Sequence, residues 1–201
     1  QEEPLDAVEA VLRIGDGPGG IAVSSDCNGR YCYLDPYEGG KAAVVEAARN
    51  LVCSGAVPLA VTDNLNFGNP QRPEVMWQFV LAIEGLKDAC EALNVPIVSG
   101  NVSFYNETNG LSIYPTPMLG MVGLIEQAGQ AMTQWFKEQG DDIIVLGTTR
   151  EDLGGSEYLK VQHSREQGSP PQLREDHRDG ARGVARGKRR LAHSRRSSDV
   201  A

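Results

Sequence analysis

The chain has 201 residues, 40% of them apolar, enough for one or two domains with a sizeable core. Its formal net charge of -8 divides unevenly: residues 1 to 162 hold 9 Lys+Arg against 22 Asp+Glu, and residues 163 to 201 hold 10 against 5, balances of -13 and +5. An acidic body excludes nucleic acid as the main partner, because a phosphate backbone requires a basic face, and no apolar run reaches the roughly 18 to 20 residues of a membrane helix. The N-terminal Gln1-Glu2-Glu3-Pro4 lacks the basic and apolar parts of a secretory signal, so a cytoplasmic location is expected. Cys27, Cys32, Cys53 and Cys90 form no C-x-x-C pair and are expected to be reduced thiols rather than a disulfide or zinc site.

In chain order, Gly20–Ser25 and Arg30–Leu34 are predicted as two strands joined by the turn Asp26-Cys27-Asn28-Gly29, whose Asn-Gly pair favours a hairpin. Asp35-Pro36-Tyr37-Glu38-Gly39-Gly40 is predicted as a loop. Helical spacing of Ala43/Val44, Ala47/Ala48 and Leu51/Val52 then predicts a helix from Lys41 to Ser54, stopped by Gly55. Ala56–Val61 reads as a buried strand running into the polar stretch Thr62–Pro70. Pro73 is placed to open a helix, and Met76, Phe79, Val80, Ile83, Leu86, Cys90 and Leu93 follow at three- and four-residue steps as a single core stripe. Val95–Val98 is a strand leading to a second polar stretch, Ser99–Thr108. Ser112–Ile125 is extended, with Pro115 and Pro117 interrupting it, and Ile143–Gly147 reads as a short buried strand opening a second domain. From about Ser164 there is no Ile, Phe, Tyr, Trp, Met or Cys and the few Leu and Val are isolated, so disorder is expected. The cluster Arg186-Gly187-Lys188-Arg189-Arg190 then reads as a solvated tail, with an RNA-binding arm as the alternative.

Both polar stretches follow buried strands, where ligands commonly bind a helix-covered sheet. Asp63 and the side-chain carbonyl of Asn101 are expected to converge on one Mg²⁺ bound to a phosphorylated ligand, since that cation favours one or two protein oxygens plus phosphate and water. Gly68 and Gly100 are expected to let a ligand approach the backbone closely. Ser103 adds a hydroxyl on the face of Asn101 if the segment is extended. The alternative for Asp63-Asn64 is a cap or Asx turn. Glu107 and Asp35 are further candidate ligands, each more simply read as a solvated side chain, and Glu38-Gly39-Gly40-Lys41 is a weak candidate for holding phosphate on free N–H groups.

Leu34-Asp35-Pro36-Tyr37-Glu38-Gly39-Gly40-Lys41, Asn64-Leu65-Asn66-Phe67-Gly68-Asn69-Pro70 with Pro73-Glu74-Val75-Met76-Trp77, Ser99-Gly100-Asn101-Val102-Ser103 with Tyr105-Asn106-Glu107-Thr108, Pro115-Thr116-Pro117 and Leu153-Gly154-Gly155-Ser156-Glu157-Tyr158 occur in one order. Together they resemble the synthetase subunits of phosphoribosylformylglycinamidine synthase, in the aminoimidazole-ribonucleotide-synthetase-like superfamily, over about residues 10 to 163. The resemblance implies an α+β fold, a ferredoxin-like sheet with helices on one face over residues 1–127. The start of a second α+β domain would follow over 128–163, and a basic low-complexity tail over 164–201. It also implies an ATP-dependent ligase that converts formylglycinamide ribonucleotide and glutamine-derived ammonia to the amidine in purine synthesis, with Mg²⁺ and ATP as cofactors. Its partners would be a glutaminase subunit and either the remaining half of the synthetase or a second copy of this chain. Asp63 and Gly100 would contact ATP, Asn101 would hold Mg²⁺ and Ser103 the substrate.

The family's first half, with the His-containing motif of its catalytic base, has no counterpart here. No catalytic residue is therefore assigned, and this piece by itself is expected to be inactive. A frame change in its gene would account for the charge reversal near residue 163. Two alternatives stand: a noncatalytic nucleotide-binding or assembly module, and a sister synthetase of the superfamily, against which Leu65-Asn66-Phe67-Gly68-Asn69-Pro70 argues.

Overall fold

A computed structural model describes residues 9–133, 135–136, 138–140, 142–143 and 150–173. A five-stranded sheet is built from β1 (Glu9–Arg13), β2 (Gly20–Asp26), β3 (Val57–Asn66), β4 (Ile97–Ser103) and β7 (Thr116–Ile125), in the order β1-β2-β7-β3-β4. Only β3 and β4 run parallel; every other pairing in it is antiparallel. Helices α1 (Gly29–Leu34), α2 (Pro36–Ser54) and α3 (Pro73–Leu93) belong to this unit, and a two-stranded ribbon of β5 (Glu107–Thr108) and β6 (Leu111–Ser112) lies between β4 and β7. The expected α+β sheet with helices on one face is therefore present.

Burial alternates along the central strands, so one face is core and the other open. On β7, Pro117, Leu119, Met121, Gly123 and Ile125 are buried while Met118 and Leu124 are exposed. The buried row packs against α2, whose Val44, Ala47, Ala48 and Leu51 are almost wholly covered. Each large apolar side chain so buried stabilises the fold by about 1.5–3 kcal/mol. Phe67, at the end of β3, meets Phe79 edge-on at 5.2 Å, and Phe79 meets Phe104 at 5.0 Å.

Several local expectations are corrected. Arg30–Leu34 is helix α1, because the Asn28 side chain caps it, accepting the Tyr31 N–H at 3.2 Å. The hairpin partner of β2 is β1, reached through residues 14–19. Asp35-Pro36-Tyr37-Glu38-Gly39-Gly40 is the start of α2 rather than a loop: Asp35 caps it by accepting the Glu38 N–H at 3.0 Å, and Pro36 occupies the first turn, where its missing N–H costs nothing. Gly55 does end that helix, in the left-handed region at φ 100°.

The strands also run longer than the apolar runs suggested, so Thr62–Asn66 and Ser99–Ser103 are sheet and not loops beyond it. On α3, Met76, Val80 and Ile83 of the expected stripe are exposed; the covered face runs instead through Val75, Ala82, Gly85, Leu86, Ala89 and Cys90. Small residues won that face because α2 crosses there. A Cβ on Gly85 would lie 2.1 Å from the Tyr37 carbonyl oxygen, and one on Gly40 2.5 Å from that of Ala82.

Beyond β7 the chain returns to the helices. Arg30 donates to the Gly155 carbonyl at 3.0 Å and pairs with Glu157 at 2.8 Å, holding α4 (Glu157–His163) beside α1. Residues 164–173 continue this contact: Glu166 pairs with Lys160 at 3.0 Å and accepts from the Tyr114 hydroxyl, and the Leu173 N–H reaches Glu38 at 3.4 Å. The expected strand Ile143–Gly147, apart from Ile143, and the basic cluster from Arg186 lie outside the described residues. Among the described residues no helix is long and apolar enough to cross a membrane, and none of the cysteines is in a disulfide.

Because the α2–α3 crossing has no room for one more carbon, Gly85→Ala is expected to lower stability by about 1–3 kcal/mol, the usual cost of overpacking. Urea denaturation measures it, and an unchanged midpoint would place the helices farther apart than described.

Candidate functional site at the parallel strand pair

β3 and β4 pair in register with Asp63 opposite Gly100, Asn64 opposite Asn101 and Asn66 opposite Ser103. On its other side β3 places Asp63 opposite the buried Leu119 and Asn64 opposite the exposed Met118. Paired residues share a face and consecutive ones alternate. Asp63 and Gly100 therefore belong to the helix-covered face, whereas Asn64, Asn66, Asn101 and Ser103 belong to the open one. Cross-strand bonds trace the open row: Ser99 Oγ donates to Thr62 Oγ1 at 2.8 Å, and Asn101 Nδ2 to Asn64 Oδ1 at 3.1 Å.

The expectation that the Asp63 and Asn101 side chains converge on one cation is thus not met. Alternation sends them to opposite faces of the sheet, and only the Asn101 backbone N–H reaches the Asp63 carboxylate. Partial burial pushes the Asp63 carboxyl above its ordinary pKa, and that N–H draws it back. The carboxylate lies over Gly100, where a Cβ would stand 2.0 Å from Asp63 Oδ1. Glycine at 100 therefore makes room for the aspartate as well as baring its own backbone. A shallow, open cleft of about 480 Å³ lies at this edge, lined by Asp63, Leu65, Phe79 and residues 97–102 of β4.

The remaining sequence candidates have structural partners. Glu107 pairs with Arg72 at 3.4 Å and accepts from Ser112 Oγ at 3.3 Å, which pins the β5–β6 ribbon to the start of α3. Asp35 is the cap of α2, and Glu38 pairs with Lys41 at 2.9 Å within the helix, so that segment is not an open phosphate loop. Gly68 makes room for Ser112 rather than for a ligand, since its Cβ would lie 2.2 Å from Ser112 Oγ. The alternative of a cap or Asx turn at Asp63-Asn64 is excluded by the strand itself.

Two features went unread in the sequence. Asn106 donates to the carbonyls of Phe67 at 3.1 Å and Ser103 at 3.0 Å, joining the ends of β3 and β4. The amide row through Asn64 was visible as polar residues at 62, 64 and 66 and at 99, 101 and 103, a period of two.

Among the described residues no group of three His, Cys, Asp or Glu side chains gathers to hold a metal. The open face instead offers Asn101 Oδ1, a neutral oxygen whose partner nitrogen is already engaged with Asn64. A single such oxygen suits Mg²⁺, which completes its shell with phosphate and water.

The family model "AIR synthase related protein, N-terminal domain" matches residues 7–125. The chain is 57% identical over 164 residues to the phosphoribosylformylglycinamidine synthase subunit PurL of Alkaliphilus metalliredigens (strain QYMF), covering 82% of this chain and 22% of that protein. It thus spans about a fifth of the length of the curated relatives it matches. Among solved structures it is similar to T. maritima PurL complexed with ATP, at 34% identity and a TM-score of 0.58 over 64% of this chain and 21% of that one. It is likewise similar to T. maritima PurL complexed with FGAR, at 34% identity and a TM-score of 0.58 over 63% and 20%.

Asp26 stands in the same cross-sheet row as Asp63, with Leu119 between them. Burial first, and then the charge of Glu46, push its carboxyl up to about 6, while the Asn50 amide holds it down. The folded state therefore binds this proton more tightly than the unfolded chain, and the stability it contributes is lost as pH rises from 3.8 to about 6. Asp26→Asn, which carries no such proton, is expected to gain on the wild type across that window and to keep the advantage at pH 7. Parallel thermal melts from pH 4 to pH 7 measure the difference, and melting curves that shift together would refute it.

Proposed function

The chain belongs to the AIR synthase related protein family, matched through its N-terminal domain, and from this we propose that it is a portion of a phosphoribosylformylglycinamidine synthase, an ATP-dependent carbon–nitrogen ligase of purine synthesis. The 57% identity with a subunit of that name supports this reading most directly. In the whole enzyme, ATP would phosphorylate the amide oxygen of formylglycinamide ribonucleotide. Ammonia from a glutaminase partner would then add to that carbon and expel phosphate, leaving the amidine. The similar T. maritima structures, described as complexes with ATP and with FGAR, fit such substrates. A cytoplasmic setting goes with this reading.

We assign Asp63 and the Gly100 backbone to the nucleotide, Asn101 to Mg²⁺ and Ser103 to the substrate. Asn101 and Ser103 share the open face, two residues apart on the edge strand. Bound Mg²⁺ would neutralise phosphate charge there. Asp63 serves this edge from behind: its carboxylate fixes the Asn101 N–H and so sets how the Gly100-Asn101 backbone faces a ligand. Ser103 Oγ accepts from Asn106 Nδ2 at 3.1 Å, which orients the hydroxyl. The open face also carries exposed Leu12, Val57, Met118 and Leu124, an apolar surface suited to the other half of the synthetase or to a second copy of this chain.

Calorimetric titration of the full chain with Mg-ATP tests the nucleotide assignment. Asp63→Ala is expected to weaken binding by about tenfold or more, the scale of one lost charge-assisted hydrogen bond. Gly100→Ala is expected to weaken it comparably by displacing the same carboxylate. Equal affinity in all three proteins would remove these residues from the nucleotide site.

A further inference from the structure

The Asn101 amide is the end of a chain of three asparagines whose polarity is set by a backbone carbonyl. Asn66 Nδ2 lies 2.8 Å from the Asn64 backbone oxygen, which only accepts, so the nitrogen end of the Asn66 amide is fixed. The same nitrogen lies 3.1 Å from the Asn64 side chain, which must present its oxygen there. That Asn64 Oδ1 in turn faces Asn101 at 3.1 Å, so Asn101 must present its nitrogen. The Asn101 carbonyl oxygen is the group left over.

We infer that Asn66 and Asn64 are positioning residues: they commit the Asn101 side chain to presenting an acceptor oxygen, never a donor, to whatever binds the open face of β3 and β4. Without them an amide rotates by half a turn at little cost, and half of its orientations would aim N–H groups at the ligand. The relay selects cations and donor groups and disfavours direct contact with phosphate oxygens. It rests on the assignment of Asn101 to Mg²⁺ only for the identity of its ligand; the polarity of the relay stands on the three hydrogen bonds alone.

Asn64 is exposed, so its substitution leaves the core intact. Two measurements on the full chain separate the two ideas. In ¹⁵N-edited NMR, the Asn101 side-chain NH₂, identified by its disappearance in Asn101→Ala, is expected to show one hydrogen-bonded proton. That proton should return to a free-amide position in Asn64→Leu and remain bonded in Asn64→Asp. An unchanged signal in Asn64→Leu would overturn the relay.

With Mn²⁺ and ATP as the probe, read by electron paramagnetic resonance, Asn64→Leu is expected to lose about 10–100-fold in metal affinity, the range for groups that orient a ligand. Asn66→Ala should fall between it and the wild type, and Asn64→Asp, which keeps the acceptor oxygen, should bind at least as tightly as the wild type. Affinity in Asn64→Leu equal to the wild type would overturn the positioning role. A wild type that shows the hydrogen-bonded Asn101 amide yet holds no Mn²⁺ would refute the metal assignment and uphold the relay.

Discussion

The parallel pairing of β3 with β4 is the constraint from which the site follows. A sheet has a side-chain period of two, so once Asp63 is set opposite Gly100 the face of every residue from Thr62 to Asn66 and from Ser99 to Ser103 is determined. β7 enforces the same register from the other side, since Leu119, opposite Asp63, is core and Met118, opposite Asn64, is not. A slip of one residue would bury three asparagines and expose Val61 and Leu65. The hydrophobic core thus decides which polar groups a ligand meets.

That pairing is in turn held by the helix layer. β3 and β4 are joined by α3, as parallel neighbours require, and α3 is seated on α2 where Gly40 and Gly85 allow backbone to meet side-chain-free backbone. At the far end of β3 the Phe67, Phe79 and Phe104 rings and the Asn106 amide bind strand ends to the helix and to each other. Held in this way, β3 fixes from one side the carbonyl, hydroxyl and amide groups of the edge strand β4.

Much of this was legible in the residues. Pro73 and Gly55 marked a helix start and stop because fixed φ and left-handed φ are backbone properties that need no tertiary context. Asn28-Gly29 is ambiguous because the same pair serves a hairpin turn or a helix cap, and here the Asn28 side chain accepts the Tyr31 N–H and caps a helix. Gly39 and Gly40 suggested a loop because close helix packing leaves no trace in local sequence. The polar runs after Val61 and Val98 suggested strand ends because hydrophobicity marks burial, whereas the strands continue by backbone pairing. Asp63, Gly100, Asn101 and Ser103 stood out by type, but their division between two faces became visible only with the register.

The carboxylate seated on Gly100 has a historical consequence as well. Positions 63 and 100 share one volume, so the effect of a change at either depends on what occupies the other, and the two do not add. A lineage drifting from this pair can place a side chain at position 100 only where the carboxylate swings aside or is lost, and the carbonyl oxygen of residue 63, 2.9 Å from such a carbon, must give way as well.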